Sequence, residues 1–565
     1  MAAGLQPGRI RKSLLLFAAP GRIGILQGGQ VYVMLASVWR NDFLSGIKYM
    51  RCLSLVLLMI LSAASGAAGE RADGLAGLTL RAALARGLAE NLELRVTAAE
   101  TPLSAERTTI AEAVFDARLE VEAETSAERT PTASVFTRDR YDRLREYTGW
   151  AALSKGFRTG LEGSLSLETW RRTTNSSVTG LDPQYRSYLT LDLVQPLLRD
   201  AGRAANTADL RIARQRQRQA GLAFLDQARI LGSRIEQVFI ELSRSYGTLE
   251  MRRLARTLAE ELLAGNRRKF EAGLIPVSEV QEAETAVAAR EEEVLLARQQ
   301  VEVAANNLRD LLEMEQLGTS ALALVVKESP EAIEPLERGE ALALALDNRP
   351  DLEEQRVELA VRDIRVAFAD NQQLPRLDLA ATLGANGLSG SAQSPSFAGA
   401  AAGPNPFRGG YEDSLSGMAE ADGYQWAVGL TFSQPLGNRA AEARARQARL
   451  RKRQAIDRLH RLENRIATEV DNALTIVTRS LERVAVADRF VALAETTLDQ
   501  EMQRLKAGLS DTFRVLDFQE ELIAARIRRI NATADAETGQ ADLFAAVGLN
   551  LERHGILPEL PAARD

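Results

Sequence analysis

Three residues of this 565-residue chain carry a thiol or an imidazole: Cys52, His460 and His554. A thiolate nucleophile or a metal ligand needs a partner at defined spacing, and neither histidine lies in an H-E-x-x-H or similar ligand pattern. His460 sits in an Arg-rich helical stretch and His554 near the C-terminus, so both read as surface or packing residues. Carboxylates are abundant, with 76 Asp and Glu, but on long helix surfaces no acid pair can be singled out as a general acid and base. No P-loop is present, and no dinucleotide fingerprint follows a strand. The sequence points away from an enzyme and calls for no cofactor and no metal.

The elements that must position any function are long helices. The chain is 26% charged and 5% aromatic, rich in Ala, Leu, Arg and Glu, a mixture that favours extended helices over a compact catalytic core. The net charge of -6 does not suggest a nucleic-acid partner, and basic runs such as "RIARQRQRQ" from Arg211 read as the solvated face of a helix.

A leader is legible at residues 49–68. An arginine, a short apolar run from Leu53 to Leu61 and the small residues Gly66 and Ala68 fit a secretory signal peptide cleaved after Ala68. The run is too short to span a bilayer. Cleavage would remove Cys52 and leave a cysteine-free mature chain, indifferent to an oxidising compartment. Residues 1–48 form an N-terminal extension of uncertain role, with Met50 the better initiator.

The remainder is a duplication. "KFEAGLIPVSEV" from Lys269 resembles "RLKAGLSDTFRV" from Arg504, and the shared glycines Gly273 and Gly508 lie 508 − 273 = 235 residues apart. "LDLVQPLLRDAGRAAN" from Leu191 resembles "LTFSQPLGNRAAEA" from Leu430. "LRAALARGLAENLEL" from Leu80 resembles "EALALALDNRPDLEE" from Glu340, each a short helix, an Asn turn and another helix. Three matches in one order define a repeat of helix, strands, Gln-Pro-Leu, long helix, Gly turn and long helix. The boundaries are 70–326 for the first copy and 327–553 for the second, with a tail at 554–565.

The strands alternate. Phe115, Ala117, Leu119, Val121 and Ala123 oppose Asp116, Arg118, Glu120, Glu122 and Glu124, and Tyr424, Trp426, Val428, Leu430 and Phe432 oppose Gln425, Ala427, Gly429, Thr431 and Ser433. Period-two alternation gives one apolar and one polar face. That suits a soluble sheet under a helix or a transmembrane barrel between lipid and water. The helices carry 4-3 seams, as in Phe224, Ala228, Leu231, Ile235, Val238, Leu242, Ser245 and Leu249, which predicts packing along much of their length. Roughly 70 residues between Gln-Pro-Leu and Ala-Gly-Leu predict a helix about 100 Å long.

This ordered, duplicated set resembles the TolC-like outer membrane efflux proteins from about Leu78 to Leu551. The resemblance implies a mixed α and β fold: a homotrimer whose protomers each give four spanning strands to a 12-stranded transmembrane β-barrel, continued by a coiled-coil α-helical barrel across the periplasm. Segments 114–126 and 185–194 are the expected spanning strands of the first repeat. The additional strand-like stretches "TGWAALSKGF" and "TGLEGSLSLETW" are expected as an extended hairpin near the outer mouth, and the stretch from Gly387 to Gly410 as the second repeat's exterior loop. Gln195-Pro196 and Gln434-Pro435 become strand–helix junctions, with each proline suited to the first helical turn. Gly273 and Gly508 become the tips of two helical hairpins at the far end of the tunnel. The family's second tip often reads Val-Asp-Val-Leu-Asp, and here Phe513-Arg514-Val515-Leu516-Asp517 stands in its place. Asp517, Arg514, Asp511, Glu279 and Glu282 are therefore the candidate aperture residues.

The function implied is a passive exit duct of the outer membrane, working with an inner-membrane pump and a periplasmic adaptor in efflux or type I secretion. The alternative is a periplasmic adaptor or coiled-coil scaffold, which would have helical hairpins but no need of strands with lipid-type alternation.

Overall fold

A computed structural model of the protein describes residues 78–137, 139–314, 336–393 and 405–559. The leader, the extension at 1–48 and the boundary between the repeats lie outside these residues.

The first repeat opens with α1 (Leu80–Glu90) and α2 (Leu92–Glu112), then a 3₁₀ turn (Ala113–Phe115). Four strands follow: β1 (Arg118–Pro131), β2 (Tyr141–Gly156), β3 (Glu162–Thr174) and β4 (Leu181–Pro196). A helical turn, α3 (Arg203–Asn206), leads into α4 (Ala208–Glu271) and its return, α5 (Val277–Leu311). The second repeat runs through α6 (Arg338–Asn348), α7 (Pro350–Asn371), β5 (Arg376–Ala392), a short α8 (Tyr411–Ala419), β6 (Gly423–Ser433), α9 (Arg439–Lys506) and α10 (Thr512–Val547). The long helices α4 and α9 have 64 and 68 residues, so at 1.5 Å per residue they extend about 96 and 102 Å.

Each repeat builds its own helical core. Leu84, Leu94, Ile235, Leu242, Leu308 and Leu312 cluster in the first, and Leu352, Ile466, Val470, Val477 and Leu543 in the second. The seam in α4 is buried as its spacing predicts, except that Val238 is only half-buried. Arg290, a charged residue at a seam position of α5, is accommodated by an ion pair with Glu520 of α10. The turns that join the short helices are anchored alike. Asn91 donates its side-chain amide to the carbonyl of Leu311, the last residue of α5 (3.2 Å). Arg349 donates to the carbonyl of Ala546 at the end of α10 (3.3 Å) and to Glu469 of α9 (2.5 Å).

The six strands form one antiparallel sheet in sequence order, β1 to β6. Its register aligns a single apolar row across every strand: Leu119, Leu153, Leu165, Leu191, Leu383 and Trp426. Shifted by one residue, the row Glu120, Ala152, Ser166, Thr190, Gly384 and Gln425 lies on the opposite, more polar face. The apolar face is exposed in the single chain, with Val121 at 74%, Trp426 at 69% and Leu430 at 66% exposure. Strands of 11 to 17 residues are long enough for a bilayer, which needs roughly 9–11.

This sheet corrects four expectations. All six strands pair in one sheet: β2 and β3, expected as an accessory hairpin, are full members with Leu153 and Leu165 in the common row. Their connecting turn, Phe157–Leu161, lies at the helix end of the sheet and not at the outer mouth. There Gly202 donates its backbone N–H to the Thr159 carbonyl (3.0 Å), and Arg158 pairs with Glu112 of α2. Residues 114 and 115, expected in the first strand, belong to the 3₁₀ turn, and Gly387–Ala392, expected in a loop, complete β5. With four strands in one repeat and two in the other, an even number in each, both chain segments return to the helical side.

Candidate functional site

Two helical hairpin tips stand at the end of the protein opposite the sheet, and the sequence folds them by the same device. The first long helix ends at Glu271, and Gly273 then takes φ +72°. The second ends at Lys506, and Gly508 takes φ +73°. At the first tip Gly273 donates its N–H to the Phe270 carbonyl (2.8 Å) and Leu274 to Lys269 (2.9 Å). At the second, Gly508 donates to Leu505 (3.2 Å) and Leu509 to Arg504 (2.9 Å). This paired pattern satisfies the last carbonyls of a helix and needs a left-handed residue, which glycine supplies without a Cβ penalty.

Beyond the turns the copies diverge. Asp511 caps α10, its carboxylate accepting from the Arg514 N–H (2.9 Å). Glu279 turns inward: its carboxylate accepts from the Thr512 hydroxyl (2.8 Å), while Asn266 donates its amide to Thr512 Oγ1 (2.8 Å) and to the Glu279 carbonyl (3.2 Å). Thr512 is fully buried and Asn266 nearly so. One hydroxyl therefore ties the first hairpin to the second. No pattern in the sequence announced this link, because Asn266 and Thr512 are 246 residues apart and each reads locally as an ordinary helix residue.

Asp517, Arg514 and Glu282 are exposed. Asp517 and Glu282 occupy equivalent places in the two tips, since 517 − 282 equals the 235 that separates the two glycines. The ion pairs among the described residues do not join Arg514 to Asp517, although the two are spaced for it along one helix. Of the five candidates, Glu279 bonds across to the second hairpin, Asp511 caps its own helix, and Asp517, Arg514 and Glu282 stand exposed. The tips also present apolar side chains to solvent: Leu274 is 73% exposed and its counterpart Leu509 is 69% exposed, with Phe513 beside them.

At the sheet end, Gln195 and Pro196 are the last residues of β4, and Gln434 and Pro435 follow β6. Neither proline opens a helix, which corrects that expectation. The chain is redirected by Gly202 (φ +83°) and Gly437 (φ +88°), each within two residues of a helix start. They too are 437 − 202 = 235 apart. The Gly in "AGRAAN" and "LGNRAAEA" was the readable signal. Asn438 secures the second junction by donating to the Gln373 carbonyl (2.9 Å), and Asn371 the first by donating to Leu198 (3.3 Å).

As for the chemical candidates, His460 is exposed on α9, and His554 Nε2 lies 3.3 Å from the buried Glu236 carboxylate. Among the described residues no group of His, Cys, Asp and Glu is arranged to hold a metal. No helix among them is long and apolar enough to cross a membrane.

With this geometry in view, comparison with known proteins is informative. Residues 341–549, which fall within the second repeat, match the outer membrane efflux protein family, in keeping with the resemblance to the TolC-like proteins. The fold is similar to that of the outer-membrane channel OprN, with 17% identity, a TM-score of 0.58, and 83% of this chain covering 89% of that one. It is similar to the Campylobacter jejuni CmeC outer membrane channel, with 14% identity, a TM-score of 0.58 and coverage of 83% and 86%. The Vibrio cholerae outer membrane protein VceC shares 17% identity at a TM-score of 0.56, with coverage of 83% and 96%. No curated protein sequence matches the chain.

Proposed function

We propose that this chain is one protomer of a passive exit duct that crosses the outer membrane and extends into the periplasm. One observation carries the reading: a sheet with a continuous apolar face and a polar face runs directly into helices about 100 Å long. The sheet suits lipid outside and water within, and the helices suit a tunnel across a wide compartment. Open sheet edges are not tolerated in hydrocarbon, so several copies must close the barrel together, and a homotrimer is the assembly the resemblance implies. Its seam-bearing helices would then pack as a coiled-coil barrel.

The exposed Leu274, Leu509 and Phe513 at the tips fit a docking face for a periplasmic adaptor that delivers cargo from an inner-membrane pump. Energy would come from that pump, and the duct itself would do no chemistry. The exposed Asp517, Glu282 and Arg514 would ring the aperture. The scaffold alternative is disfavoured by the sheet, since an adaptor has no use for an apolar sheet face with Val121, Trp426 and Leu430 left open to solvent.

Fractionation of cells followed by extraction tests the reading. The duct should appear with the outer membrane and require detergent for release, and reconstitution in planar bilayers should give discrete channels. Release in salt or alkali without detergent would refute it.

A further inference from the structure

We infer that three copies of this chain close a barrel of 18 strands, six from each, with β6 of one protomer laid against β1 of the next. The inference rests on the duct reading above and adds the strand count, the surface by which copies join and the width of the exit.

β1 and β6 are the two edges of the sheet. Nearly every residue of both is exposed, and each strand offers one unpaired row of backbone donors and acceptors. β1 runs away from the helices and β6 runs towards them. An even number of strands per chain therefore makes the edge of one copy antiparallel to the edge of the next, and the meander continues without a break.

The side chains at the two edges are complementary. On the apolar face β6 offers the bulky Tyr424, Trp426, Val428, Leu430 and Phe432, whereas β1 offers Leu119, Val121, Ala123 and Thr125. Aromatic against β-branched or small residues is a favourable cross-strand combination. On the polar face β1 carries Glu120, Glu122 and Glu124, and β6 meets them with Gln425, Ala427, Gly429 and Thr431. No like charges are brought together. A second β1 placed against β1 would oppose glutamate to glutamate, which argues against a symmetric edge pairing.

The apolar row decides the count. If β2 and β3 folded away from the membrane, Leu153 and Leu165 would leave the row they share in register with Leu119 and Leu191, and Leu167 the next row, shared with Val121 and Leu189. Barrel diameter rises about linearly with strand number, so 18 strands give an exit roughly 1.5 times as wide as 12 would.

Two experiments test this. Electron cryo-microscopy of the mature protein in lipid nanodiscs should resolve three-fold symmetry and 18 strands. A 12-stranded ring, whether from three copies or from two, would overturn the proposal while leaving the duct reading intact. Cysteine labelling in whole cells makes the second test, using the mature chain's expected lack of cysteine. Val135→Cys, in the β1–β2 connection, should react with a membrane-impermeant maleimide in intact cells. Thr159→Cys, in the β2–β3 turn, should react at least 10-fold more slowly until the outer membrane is permeabilised. Equal reactivity of the two in intact cells would overturn six-strand closure. Extraction of the protein without detergent would overturn the duct reading itself, and this proposal with it.

Discussion

Replacing Thr512 by valine should loosen the tips. The hydroxyl accepts from Asn266 and donates to Glu279, both at 2.8 Å, and valine keeps the shape while removing both bonds. A neutral hydrogen bond contributes about 1 kcal/mol and one to a charged group about 1.5–3 kcal/mol. The added methyl offsets about 0.8 kcal/mol of this, and no cavity is left. The net loss is about 1.5–3 kcal/mol, or roughly 10- to 100-fold in the equilibrium between linked and separated hairpins at 1.4 kcal/mol per tenfold. If parting the two hairpins opens the aperture, single-channel recordings should show open probability rising towards that factor, limited by the other contacts between hairpins. Thr512→Ser keeps the hydroxyl and should behave as the parent. A Thr512→Val channel with lowered thermal stability but unchanged open probability would refute a gating role and leave the link a purely structural one.

Gly508→Val and Gly273→Val should impair export while the barrel still assembles. Nothing lies within 4 Å of a Cβ at either site, so the cost is backbone strain alone, about 1–2 kcal/mol or somewhat more for a β-branched residue, and Asn at these positions should be better tolerated. Normal export by the double mutant would refute the tip assignment. Reversal potentials under a salt gradient should show cation selectivity falling in Asp517→Ala and Glu282→Ala and rising in Arg514→Ala, and a common unchanged value would remove these residues from the aperture. Arg349 is buried between Asp351 and Glu469. Burial pushes both carboxyls up, but the hydrogen bonds and charge of Arg349, with Arg465 beside Glu469, outweigh it and hold both below their ordinary values. A depressed carboxylate contributes stability that is present above its unfolded value, here 3.8 and 4.5, and lost as pH falls through the lower folded value. Arg349→Met should therefore lose about 1.5–3 kcal/mol at neutral pH, as for a hydrogen bond to a charged group, because Glu469 keeps contact with solvent, and the gap from the parent should narrow in denaturation experiments below about pH 4. A pH-independent gap would exclude this network as its cause.

The duplication, the long helices and the glycine tips were legible in the sequence because each depends on local pattern. A seven-residue seam, a Gly after a helix and an alternating strand are set by neighbours in the chain, and copying a segment copies all of them. Gly273 and Gly508 have nearly the same φ because one local hydrogen-bond pattern was inherited twice. What the tertiary structure decided are relations between distant residues. Alternation showed that Leu153 and Leu165 face one way, but only the register put them in the row of Leu119 and Leu191 and made β2 and β3 full members of the sheet. The role given to the prolines failed because a proline limits only its own backbone, whereas the entry into each helix is set by a left-handed residue nearby. Glu279 looked like Glu282 in the sequence, three residues away on one helix. The fold separated them by bringing Thr512 of the other repeat against one and leaving the other in solvent, a distinction that arises only when two hairpins pack side by side.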